Sequence, residues 1–150
     1  MPIDRQAGTH RAKALLAEGK VEEAIQVFGQ LLVDRPMDLC LRNKLADLCI
    51  QVGRVELGIR YLIFLADYYD GIGYLPHANA ILRKARRSAP HDPEINHRIA
   101  ANHLAMGQVR EAISIHLELA GHYAGTGRPG LARVEYRNAE RCVDLMPDPV

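Results

Sequence analysis

The sequence is poor in the residues that usually announce a particular chemistry. It has no tryptophan and only two phenylalanines. Its three cysteines, Cys40, Cys49 and Cys142, are an odd number with no CxxC pair and no repeated spacing, which argues against a disulfide framework or a zinc knuckle. They read instead as small buried apolar residues. Charge of one sign is also missing: 19 Lys plus Arg stand against 18 Asp plus Glu, so there is no global field for gathering nucleic acid or acidic membranes. No apolar run approaches the length of about 20 residues that a membrane span needs. Asp4, Arg5, His10 and Arg11 occupy the stretch where a signal peptide would be apolar, so a cytoplasmic address is expected. What remains is an ordinary foldable composition, 48% hydrophobic and 25% charged over 150 residues, the size of a single domain. Fifteen arginines to four lysines is the bias of a GC-rich genome and fits a bacterial source.

The chain repeats itself. An alanine followed seven residues later by a glycine recurs as Ala12/Gly19, Ala46/Gly53, Ala66/Gly73, Ala100/Gly107 and Ala120/Gly127, with offsets of 34, 20, 34 and 20. A shift of 54 lays Ala46 on Ala100, Val55 on Val109, Ile59 on Ile113, Tyr69 on Tyr123, Ala85 on Ala139 and Pro93 on Pro147. Between the glycines, apolar residues keep helical spacing, as in Val21, Ala24, Ile25, Phe28, Leu31 and Leu32. Each glycine suits a left-handed helix C-terminus, and Pro36, Pro76, Pro93 and Pro129 sit at or near the next first turn, where a missing N–H costs little. The pattern predicts eight helices near 3–18, 20–34, 37–52, 54–70, 74–89, 92–106, 108–124 and 128–146, and no strand.

The segment Gly8, Ala12, Leu15, Gly19, Ala24, Phe28, Pro36 resembles a tetratricopeptide repeat (TPR). Ala66, Tyr69, Gly73, Ala78, Leu82, Ala85 and Pro90 fit at least as well, whereas other units carry Gly58 or Ala112 at the crossing position and lack a terminal proline. The resemblance implies an all-α solenoid of antiparallel helix hairpins with a right-handed superhelical path. One domain over 1–150 is expected, with a first repeat at about 4–38 and three-helix blocks at about 39–92 and 93–146. The helices 54–70 and 108–124 then serve as second helix of one repeat and first helix of the next.

Catalytic and metal chemistry find no support within single helices. Among the histidines (10, 77, 91, 97, 103, 116, 122), the pairs 97/103 and 116/122 are six apart and point about 120° from each other, and no HxxxH or HExxH occurs. No nucleophile sits in a recognisable setting, so no enzyme activity, cofactor or metal is expected. Gly125 to Gly130 spell GxGxxG, but a helix precedes them where a dinucleotide loop needs a strand. Arg83, Lys84, Arg86 and Arg87 crowd one helix, and Arg133, Arg137 and Arg141 follow at i, i+4, i+8 in the last. These stripes read as a solvated outer face. The alternative is docking on nucleic acid or another polyanion through Arg83, Arg87, Arg133, Arg137 and Arg141, disfavoured for single strands by the lack of interleaved aromatics.

The resemblance also places a concave groove, used by the family to hold an extended peptide or helix. Its inward positions in this sequence are Thr9, Lys13 and Leu16, then Asn43, Asp47 and Ile50, then His97, Ala101 and Leu104. With Lys13 and Asn43 opposed by Asp47 and Glu94, an amphipathic or extended segment with some positive charge fits better than a clamped carboxylate. In the last helix, apolar residues from Leu131 to Met146 span about 200°, so its edge is expected to be covered by another copy, a partner, or the tail Pro147 to Val150. The expected function is a non-enzymatic protein-interaction scaffold or adaptor, with a secretion chaperone of the type III kind as the alternative within binding proteins.

Overall fold

A computed structural model of the chain describes residues 4–148, and across them the regular structure is all helix, with no strand. The helices are α1 (Arg5–Ala17), α2 (Val21–Asp34), α3 (Leu39–Gln51), α4 (Val55–Gly71), α5 (Leu75–Ser88), α6 (Pro93–Ala105), α7 (Val109–Gly125) and α8 (Pro129–Val143). Ile3, the expected start of the first helix, lies outside the described residues, as do Pro149 and Val150 of the tail.

The recurring glycines end helices for one physical reason. Gly19, Gly53, Gly73, Gly107 and Gly127 have φ between 72° and 85°, a region that a Cβ disfavours. Each glycine N–H bonds to the carbonyl three residues back, and the next residue's N–H bonds to the carbonyl five back, as in Lys20 to Leu15 and Gln108 to His103, both 2.8 Å. That is the Schellman arrangement, which satisfies carbonyls the helix leaves bare. The five alanines seven residues earlier are all at most 1% exposed, so they allow helices to approach closely.

Pro76, Pro93 and Pro129 stand in the first turns of α5, α6 and α8 as expected, and aspartates set starts as well. Asp4, Asp38 and Asp92 cap α1, α3 and α6, accepting from Gln6, Leu41 and Ile95 N–H at 3.2, 3.0 and 3.0 Å. Because Asp38 is the cap, α3 begins at Leu39 rather than at 37, with Pro36 in the turn before it. At the other end α8 stops at Val143 rather than 146, where Leu145 and Met146 make tighter bonds to the carbonyls three residues back.

The chain divides inside α4 into two compact units, residues up to Tyr68 and residues from Tyr69. In the first, α1 packs on α2 and α2 on α3 around Phe28, Leu31, Leu45, Leu48 and Cys49. Gly58 of α4 sits so close to α3 that a Cβ there would lie 2.7 Å from Ile50 Cγ1 and 3.0 Å from the Ala46 carbonyl oxygen. In the second unit α5 packs on α6, α6 on α7 and α7 on α8, with Leu82, Ile95, Ile99 and Leu119 at most 2% exposed. Cys49 and Cys142 are buried, and burial raises both thiols above their ordinary pKa; Cys40 is exposed, contrary to the reading of all three as core.

Candidate functional site

Thr9, Lys13 and Leu16 come together at a cavity of about 280 Å³ in the first unit. They recur every three to four residues along α1, so one face of the helix carries all three. Phe28 and Leu31 of α2 and Leu41 of α3 complete an apolar floor, and Cys40 opens onto it. Its rim is charged: Arg5, Lys13, Arg35 and Lys44 stand against Asp34 and Asp38. Asp38 is already engaged, since one oxygen lies 3.3 Å from Arg5 and the other caps α3. The net character is therefore basic around an apolar base, the reverse of what a positively charged segment would need.

The other expected groove positions are not at this cavity. On α3, Asn43 and Asp47 are exposed, and half-buried Ile50 lies against Gly58, one turn or more beyond the cavity-lining Cys40, Leu41 and Lys44. On α6, Ala101 is exposed and Leu104 half-buried. His97 instead faces Glu135 of α8.

That contact belongs to a cluster no single-helix spacing reveals. His97 Nε2 lies 2.6 Å from Glu135 Oε1, and His116 Nδ1 of α7 lies 2.8 Å from Glu135 Oε2. The two imidazole rings are 5.7 Å apart. Glu135 and His116 are buried, at 4% and 10% side-chain exposure, while His97 is 42% exposed and forms the mouth. Burial works to raise the Glu135 carboxyl, but the hydrogen bonds from His116 and His97, with their charge, hold it below the usual carboxylate range.

Of the arginine stripes, Arg83, Arg87, Arg133, Arg137 and Arg141 are all exposed. Arg83 and Arg87 lie on α5, and Arg133, Arg137 and Arg141 on α8. Arg86 is set apart from them by its ion pair with Glu118. The GxGxxG string spans a junction between helices and follows no strand: Gly125 ends α7, Gly127 makes the turn and Gly130 lies in the first turn of α8. Exposed apolar residues on and just after α8 include Leu131, Val134, Tyr136, Val143 and Leu145. No helix among the described residues is long and apolar enough to cross a membrane.

Taken together, the paired helices, buried alanines and left-handed glycines make the fold tetratricopeptide-like. No family model matches the chain. No curated protein matches it either. Similar solved structures include TTC0263, a thermophilic TPR protein of Thermus thermophilus, at 20% identity over 95% of both chains with a TM-score of 0.41. MamA residues 41 to the end from Desulfovibrio magneticus RS-1 is similar at 11% identity, covering 96% of this chain and 98% of that one, with a TM-score of 0.40. A Podosopora anserina kinesin light chain protein with nearly identical TPR-like repeats is similar at 16% identity, 93% and 92% coverage and a TM-score of 0.41.

Proposed function

We propose that this chain is a non-enzymatic interaction scaffold that binds a partner protein through a peptide or helix, anchored in the cavity between α1, α2 and α3. The observation that carries the reading is an apolar floor of Leu16, Phe28, Leu31 and Leu41 ringed by four cations and two carboxylates. Its volume falls at the lower edge of the about 300–1,000 Å³ typical of small-molecule pockets, which suits an anchoring side chain better than a large cofactor. Burying such an anchor supplies the affinity, and the rim selects its neighbours. The preferred partner segment therefore carries a large apolar residue flanked by Asp or Glu. Asn43, Asp47 and Ile50 of α3 are proposed as secondary contacts for a longer segment.

Cys40 provides the test, being the exposed thiol beside the cavity while the other two are buried. A polarity-sensitive fluorophore on Cys40 should respond saturably to peptides presenting Phe or Leu between acidic residues. Lys13→Glu with Lys44→Glu should abolish that response. An equal response to a Lys-flanked peptide, or none to either, refutes the reading. Polyanion docking through the exposed Arg83, Arg87, Arg133, Arg137 and Arg141 is the second reading; heparin-column retention lost on replacing Arg133, Arg137 and Arg141 by Ala would support it.

A further inference from the structure

The His97, His116 and Glu135 cluster draws one residue from each of three consecutive helices, 19 residues apart between His97 and His116 and again between His116 and Glu135. One donor atom from each lies within 4.8 Å of the other two. The chain itself supplies the reference for how unusual this is. Fifty-four residues earlier the same register positions hold Asn43, Leu62 and Ile81, of which Leu62 is fully buried and Ile81 half-buried. Helix packing at these positions thus works with aliphatic residues. The second copy has a carboxylate and an imidazole instead, although removing an ionised carboxylate from water costs several kcal/mol unless it is well compensated.

We propose that His97, His116 and Glu135 form a zinc(II)-binding site joining α6, α7 and α8, with a fourth coordination position open to solvent beside His97. Two imidazole nitrogens and one carboxylate are a donor set that zinc accepts with a water completing the tetrahedron. Nitrogen donors select against calcium and magnesium, which favour oxygen. Tetrahedral bonds of about 2.0–2.2 Å place neighbouring donor atoms about 3.3–3.5 Å apart, between the hydrogen-bonded and the longest spacing present, so side-chain adjustments of about 1 Å are enough. Coordination uses a nitrogen lone pair. The hydrogen now between each imidazole and Glu135 therefore moves to the other ring nitrogen or leaves to solvent as metal enters. Exposure of His97 gives the ion a way in.

The competing role is a metal-free brace, in which Glu135 simply accepts from both rings. Titration calorimetry of the full chain, stripped with chelator, separates the two when zinc chloride alone is injected. The site predicts one zinc per chain with a Kd of about micromolar or tighter, no magnesium binding, and a Tm raised by about 5 °C at roughly a hundredfold excess over Kd. His97→Asn, which installs the residue of the equivalent earlier position, should keep the helical circular dichroism while weakening zinc by about tenfold or more and removing the Tm shift. Glu135→Gln should do the same. His91 and His122, whose rings stack 3.7 Å apart, are the control. Absence of zinc binding, or binding that survives His97→Asn and is lost on replacing His91 and His122, overturns the proposal. The peptide cavity lies in the other unit and is read through Cys40, so failure of either idea leaves the other standing.

Discussion

The two units place the same kind of helices around cores of different chemistry. Among the described residues, every buried polar side chain lies in the second: Asn79, Asn96, Asn102, His116 and Glu135. The repeat register makes the difference specific. Ile25, Leu48 and Leu62 of the first unit are at most 5% exposed, and 54 residues later the same positions are Asn79, Asn102 and His116, at most 9% exposed. Two of the polar replacements, Asn79 and Asn102, are connected. Asn102 Nδ2 donates to Asn79 Oδ1 and to Asp70 Oδ1, both at 3.0 Å, Arg98 reaches the other Asp70 oxygen at 3.0 Å, and Asn79 Nδ2 reaches the Ile99 carbonyl at 3.5 Å. Small residues at the crossings and glycines at the ends therefore specify the helical frame, while the large core positions are free to carry either aliphatic packing or polar chemistry. Buried networks of this kind tolerate little, because a member left without its partner is strongly destabilising.

The largest effect expected from this contrast comes from returning the second unit to the first unit's residues. Asn79→Ile alone removes an acceptor of Asn102, and Asn102→Leu alone strands Asn79 Oδ1 and takes a donor from Asp70. Each single change should cost about 1–2 kcal/mol in urea unfolding. The double variant should cost clearly less than the sum, since each replacement removes the group the other strands. Strictly additive losses would break the comparison, meaning that the asparagines act as isolated residues and not as a network.

The frame was readable from sequence because its determinants are local. A glycine that must adopt positive φ, an alanine at a crossing and a helical stripe all lie within one turn or two of what they control, so Gly19, Gly53, Gly73, Gly107 and Gly127 mark their helix ends directly. The capping aspartates carry a local signal too, repeating at 4, 38 and 92, and attention to them corrects the start of α3. The sites were only partly legible. Thr9, Lys13 and Leu16 follow from one face of one helix, but Arg35 and Lys44, which give the cavity rim its sign, arrive from elsewhere in the chain. The His97, His116 and Glu135 cluster was invisible to spacing rules, which compare residues on one helix. A usable signal nonetheless lay in the shifted alignment, where Leu62 and Ile81 give way to His116 and Glu135. Asn96 poses a different problem: its amide nitrogen donates to the Pro90 and Asp92 carbonyls, but its buried Oδ1 has no partner, and nothing in the structure explains that cost.

A smaller effect concerns acid. His122 lies in the second unit and ties that unit's stability to pH. His122 is held below its ordinary pKa by burial, then by the charge of His91 stacked on it and of Arg128. A group whose folded value is depressed takes up protons more readily when unfolded. Its stabilising contribution is present above the unfolded value near 6.5 and is lost as pH falls through the lower folded value. His122→Gln should therefore flatten the decline of Tm between about pH 7 and 5 relative to the parent. An unchanged slope would place the acid sensitivity elsewhere.

The smallest expected effect isolates the cores by showing where the units agree. Gly29 in α2 and Gly121 in α7 are helical glycines at which an added Cβ meets nothing within 4 Å, whereas the same addition at Gly58 collides with Ile50 and the Ala46 carbonyl. At open sites, alanine gains helix propensity and loses less backbone entropy on folding, so Gly29→Ala and Gly121→Ala should each stabilise by about 0.5–1 kcal/mol. Equal gains in the two units mean that backbone propensity acts alike in both, and that any difference between them resides in buried side chains. A gain at Gly29 with a loss at Gly121 would relocate the contrast from the polar core to the helices, and the exchange of Ile25, Leu48 and Leu62 for Asn79, Asn102 and His116 would no longer account for it.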